Sequence, residues 1–142
     1  MARSAVNALE SAVVSALKLN ATLVGLVGAS GFYNGSAPTT AAYPHIVLGD
    51  ASEVDLKWFQ TKIGKRVVLT GHIWTLTYGG VVGKSQAMSI YEQLETTLNG
   101  TTLVVTSQTM LRGSCNLVSV VPDPNGKLMH GVFRYEAEVL NA

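Results

Sequence analysis

Between Arg66 and Tyr78 apolar residues occupy both parities of a strand: Val67, Leu69 and Ile73 on one, Val68, Trp74, Leu76 and Tyr78 on the other. Side chains alternate across a strand, so a segment of this kind needs cover on both faces. Helices supply cover on one side. A second layer or a neighbouring subunit has to supply it on the other. The chain is therefore restricted to layered folds built around a sheet.

The remaining segments provide the layers. Val6, Leu9, Val13, Ala16 and Leu17 recur at helical spacing and predict a helix over 4–18, capped by Ser4. Asn20 or Thr22 caps a short turn of helix, Leu23–Val27, which Gly28 stops. Ala87, Ile90, Tyr91, Leu94 and Leu98 mark a second main helix at about 84–98, stopped by Asn99 and Gly100. Strands are expected at His45–Gly49, Arg66–Tyr78, Thr101–Thr106, Leu111–Pro122 and Lys127–Leu140. The last two are joined by the turn Asp123, Pro124, Asn125, Gly126. Residues 31–44, rich in Gly, Ser, Thr, Ala and Pro, read as an extended surface loop. The expected fold is α+β: a single domain over residues 1–142, with an antiparallel sheet of about four to five strands packed by two main helices.

Charge is scarce. Charged residues make up 13% of the 142 and mean hydropathy is +0.27, where about 25% charge is usual. Such a surface is rich in uncharged polar residues or is covered by partners, and both are expected here. Seven of the 19 charged residues crowd between Asp50 and Arg66: Asp50, Glu53, Asp55, Lys57, Lys62, Lys65 and Arg66. The stretch shows no clean period and reads as a long charged loop at about 50–66. Loops of that length are functional or disordered. Trp58 and Phe59 within it argue against disorder, because large aromatics need a surface to cover. Either they fold over the chain's own core or they anchor contact with another molecule, apolar at the centre and charged at the rim.

Several chemistries are excluded. Net charge is +1 with no basic block, so specific nucleic-acid binding is unsupported. One cysteine, Cys115, cannot form an internal disulfide. The N-terminus lacks a signal-peptide core and no run approaches 18 apolar residues, which predicts a soluble chain made in the cytosol. The glycines at 25, 28 and 31 imitate a phosphate loop, but they neither follow a strand nor open a helix. His45, His72 and His130 lack metal-motif spacing, and each reads as a core or sheet-surface residue. If Pro122 pairs with Lys127, Cys115 faces Arg134 and His130 faces Ser119. The thiol and imidazole are then about 13 Å apart at ~3.3 Å per residue, too far for a nucleophile and its base. Glu136 and Glu138 alternate with Arg134 on one strand face, a pattern of cross-strand compensation. Glu92 and Glu95 sit on the polar side of their helix, and Asp50, Glu53 and Asp55 do not form a metal motif. No catalytic, cofactor-binding or metal-binding residue is assigned, and the chain is not expected to be an enzyme.

Three stretches in order carry a family likeness. They are Tyr43–Gly49 (YPHIVLG); Asp55–Trp58 (DLKW) through Thr61 and Lys62 to His72–Trp74 (HIW); and Asp123–Arg134 (DPNGKLMHGVFR). With the two main helices, they resemble the tail completion proteins of long-tailed bacteriophages, also called tail terminators or tail-to-head joining proteins. The resemblance implies a homo-oligomeric ring of six subunits at the head-proximal end of the virion tail, assembled in the host cytoplasm. It implies contact with the tail tube protein and with a head connector or stopper protein, passage of DNA without specific binding, and no cofactor. Within that frame Trp58, Phe59, Lys62, Lys65 and Arg66 are the expected interface residues, together with Asp123, Asn125 and Gly126 of the turn. Glu136 and Glu138 are candidates for the lumen. The alternatives are a tail-tube subunit and a small soluble α+β ligand-binding module.

Overall fold

The computed structural model describes residues 5–76, 82–103, 105, 108–124 and 126–141. Among the described residues, three helices, α1 (Val6–Lys18), α2 (Ala21–Val27) and α3 (Val82–Leu98), lie on one face of a five-stranded sheet. The strands are β1 (Phe32–Asn34), β2 (His45–Trp58), β3 (Thr61–Leu76), β4 (Gln108–Pro122) and β5 (Leu128–Asn141), in the order β1-β2-β3-β5-β4. β1 runs parallel to its neighbour β2; the β2–β3, β3–β5 and β5–β4 pairings are antiparallel. This is the α+β architecture that the periodicities predict.

The core lies between helices and sheet. Leu9, Val13 and Leu17 of α1, Leu23 of α2, and Ile90, Leu94 and Leu98 of α3 are fully buried against Val67, Leu69, Ile73, Phe133, Tyr135 and Val139. Asn20 links two helices. Its side-chain oxygen accepts from the Leu23 amide at 3.0 Å and caps α2, while its amide nitrogen donates to Thr97 Oγ1 of α3 at 2.8 Å. That satisfies one helix end and orients a second helix with one side chain. Gly28, at φ 84°, then ends α2. No single described helix is long and apolar enough to cross a membrane.

Two glycines make room for the core aromatics. A Cβ on Gly71 would strike the Phe133 ring, and one on Gly113 would strike the Tyr135 hydroxyl. The missing side chains lie where Phe133 and Tyr135 cross their neighbouring strands.

Three expectations are corrected and one is made specific. The stretch 50–66 is not a loop. β2 continues to Trp58, turns through Phe59 and Gln60, and returns as β3 from Thr61. Its pattern was obscured because β2 slips register between Leu48 and Ala51 and again between Leu56 and Lys57, so no single period spans it. The 31–44 loop contains β1, a three-residue strand held parallel to β2. Residues 101–103 and 105 are not in a strand, although Leu103 and Val105 are buried. Finally, β3 buries one parity under the helices, while the other parity (Val68, Thr70, His72, Trp74 and Leu76) is half-buried on a face without helices. The proposed cap residue Ser4 and the end of the expected strand at Tyr78 lie outside the described residues.

Candidate functional site

Among the described residues, β3 beyond Gly64, which pairs with Leu140, pairs with β2 alone. The end of the β2–β3 hairpin is therefore a two-stranded ribbon extending past the rest of the sheet. Trp58 and Phe59 occupy its tip, 65% and 87% exposed, with their rings edge-to-face at 5.2 Å. The aromatics thus do not fold over the chain's own core. Phe59 and Gln60 have φ of 47° and 69°. Left-handed conformations at both central residues define a hairpin turn that normally selects Asn-Gly.

The charges brace this ribbon. Lys65 contacts both Asp55 and Glu53, and Lys62 reaches Asp55 at 3.1 Å. The two lysines hold the Asp55 carboxyl down at about 2, with the Lys65 hydrogen bond as the larger cause. Glu53 also accepts a hydrogen bond from the Ala5 backbone at 3.1 Å, which ties the ribbon's base to the start of α1. Lys65 therefore pairs with Asp55 and Glu53 at the base of the projection, and Lys62 links the projection itself to Asp55.

On the face without helices, Glu138 accepts from Arg112 at 3.0 Å and lies 3.5 Å from Arg66, which also approaches Glu136 at 3.6 Å. The arginines hold the Glu138 carboxyl below its ordinary value, the Arg112 hydrogen bond first. The compensation expected for Glu136 and Glu138 exists, but its cations are Arg66 and Arg112. Glu136 and Glu138 form a neutralised strip rather than a bare acidic one.

At the other end of the same strands lies a groove of about 390 Å³. Its walls are residues 35–39, Tyr43, His45, Val47, His72, Trp74, Leu128 and His130. Cross-strand register builds it, because Trp74 of β3 stands opposite His45 of β2 and His130 of β5. The His130 imidazole stacks on Trp74 at 4.0 Å, and its Nε2 lies 2.7 Å from His72 Nδ1, so one ring donates a proton to the other. His45 is buried, with Nδ1 2.9 Å from the Ala42 carbonyl. Burial pushes His130 below its usual 6.5; His72 adds to this and Asp123 opposes it. The sequence reading missed this cluster. The signal was available: His72 and Trp74 are two residues apart on one strand and share a face.

The turn residues Asp123 and Gly126 adjoin the groove end of the sheet, opposite the ribbon tip. Asp123 and Leu128 are bridged by a backbone hydrogen bond of 2.8 Å, and Gly126 has φ 71°. Asn125 lies outside the described residues. The expected interface residues thus fall at two opposite ends rather than in one patch.

Cys115 is not placed as an activated nucleophile. Cys115 pairs with Tyr135, and His130 pairs with Val121, which corrects the assumed register. The two are five positions apart along β5, roughly 17 Å. Burial pushes the Cys115 thiol up to about 12, the opposite of activation. Among the described residues no cluster of three or more His, Cys, Asp or Glu could hold a metal.

The family model of tail completion protein gp17 matches residues 11–140. This chain belongs to that family. It is a structural protein of the phage tail, and the likeness seen in Tyr43–Gly49, Asp55–Trp74 and Asp123–Arg134 is borne out. The fold recurs in a chain of the virion of a native gene transfer agent particle. The two are 18% identical, with a TM-score of 0.83 over 99% of this chain and 100% of the other. A second solved chain is 10% identical, with a TM-score of 0.59 over 92% of this chain and 94% of its own length. No curated protein matches the sequence. The tail completion fold therefore persists where sequence identity has nearly vanished, as expected when packing pattern rather than surface residues specifies it.

Proposed function

We propose that this tail completion protein closes into a homo-oligomeric ring of six subunits, caps the head-proximal end of the tail tube, ends tube polymerisation and receives the head connector. The observation that carries this reading is the ribbon tip. A projection ending in two adjacent exposed aromatics suits an anchor for a partner, since paired large rings at the centre of a contact carry much of its energy. Low charge agrees, because flanks covered by neighbours need little solvation. The mechanism is geometric: one face of the ring matches the tube and the other does not reproduce that face, so no further tube subunit adds. The ion-paired strip of Glu136 and Glu138 presents no net cationic surface that would retain passing DNA.

Negative-stain electron microscopy of the protein mixed with tail tubes tests this. A single cap at one end of each tube is expected. Incorporation along the tube, or filaments of the protein alone, would make the chain a tube subunit. A persistent monomer that ignores tubes would overturn the ring and the capping role.

A further inference from the structure

Resting on that ring, we infer that the Trp58–Phe59 tip of one subunit seats in the histidine–tryptophan groove of the next copy of this chain, giving a head-to-tail contact along the ring. A closed ring requires two different, mutually complementary patches on each subunit. The described residues supply such a pair. One is an apolar projection and the other an aromatic recess, and they lie at opposite ends of β2 and β3, about 13 positions or roughly 40 Å apart.

Size and chemistry match. The recess, at about 390 Å³, exceeds many times the ~30 Å³ share of one water, and so admits aromatic rings. Its lining includes the stacked Trp74–His130 pair and Tyr43, an aromatic surface that favours an incoming ring in offset or edge-on contact. Charge also matches. Exposed Lys57 flanks the tip, while Asp123 stands at the groove end close enough to act on His130. A second copy is favoured over the tube protein because both halves of the contact are present on this one chain.

Two rings burying roughly 150–250 Å² each fall short of the ~800 Å² per partner of a stable interface. The tip is therefore the anchor of a broader contact, and its removal should slow or abolish ring closure without unfolding the subunit.

The test is a mixed cross-link. Gln60→Cys places a thiol at the tip and Thr39→Cys one on the groove wall, while native Cys115 is buried and silent. Rings are assembled on tail tubes from an equal mixture of the two variants and then oxidised. Cross-links between the Gln60→Cys and Thr39→Cys chains are expected. They should fall at least tenfold when Trp58→Ala and Phe59→Ala are added. Rings that form without this cross-link would overturn the groove as receptor while leaving the ring intact. So would Gln60→Cys caught on itself or on the tube protein. If no ring forms under any condition, the ring reading and this contact fall together.

Discussion

The indole of Trp74 and the imidazole of His130 lie face to face, 4.0 Å apart and within 3° of parallel. The rings belong to β3 and β5 and meet because the two residues are direct cross-strand partners. His72, two positions before Trp74, completes the group with its 2.7 Å contact to His130.

This arrangement fixes the sign of a pH dependence. Burial first, and His72 second, push the His130 imidazole below 6.5, so the folded state prefers the neutral ring. The unfolded chain takes up the proton near 6.5 and the folded one resists it. Stability from this site is full above pH 6.5 and declines as pH falls from there toward the folded value. A His130 NMR titration midpoint below 6.5 is expected, with a lower denaturation midpoint at pH 5.5 than at pH 7.5. His130→Gln should flatten that difference. A midpoint above 6.5 would contradict the packing described.

The ribbon has its own, more acidic transition. Asp55 titrates at about 2 against an ordinary 3.8, because Lys65 and Lys62 bind its charged form. Its contribution is present above pH 3.8 and lost as pH falls toward 2. Hydrogen-exchange protection of the amides from Leu56 to Ile63 should fall between pH 4.5 and pH 2.5. Asp55→Asn should reproduce that loss at neutral pH, with little change in the core.

Phe59 and Gln60 both occupy left-handed backbone, which costs on the order of 1 kcal/mol per L residue. Replacing them by Asn and Gly, the pair such a turn prefers, should raise stability by about 1 kcal/mol in chemical denaturation. The same double substitution should weaken ring formation on tail tubes in electron micrographs. A gain in stability coupled to a loss of assembly would show that the turn keeps Phe59 for contact rather than for folding.

The Gly71–Phe133 contact predicts a strictly structural effect. Gly71→Ala drives a methyl into the ring of the fully buried Phe133. Overpacking of this kind costs about 1–3 kcal/mol. Urea unfolding should register it, and adding Phe133→Leu should recover part of the loss, since the smaller side chain vacates the space.

Helices α1 and α3 and strands β4 and β5 were legible because each carries one clean apolar stripe or one strong turn signal. Val13 and Leu17 repeat at helical spacing, and Asp123 to Gly126 announce a hairpin. The ribbon was not legible, because two register slips break its alternation and because its turn uses Phe59 and Gln60 where Asn and Gly are normal. The interface candidates were found singly. That Lys62 and Lys65 brace the ribbon internally, and that Asp123 lies far from Trp58, depends on strand pairing.

By itself the order of apolar and polar residues determined the α+β layering and the buried stripes of α1 and α3, since burial pattern is written locally at periods of 3.6 and 2. Only the tertiary structure decided that Trp58 and Phe59 point into solvent and that His45, His72, Trp74 and His130 gather into one groove. Those facts follow from which strand lies beside which, and in what register. Pairing between residues 58 positions apart, such as His72 and His130, is settled by the packing of the whole sheet and leaves no mark on either local stretch.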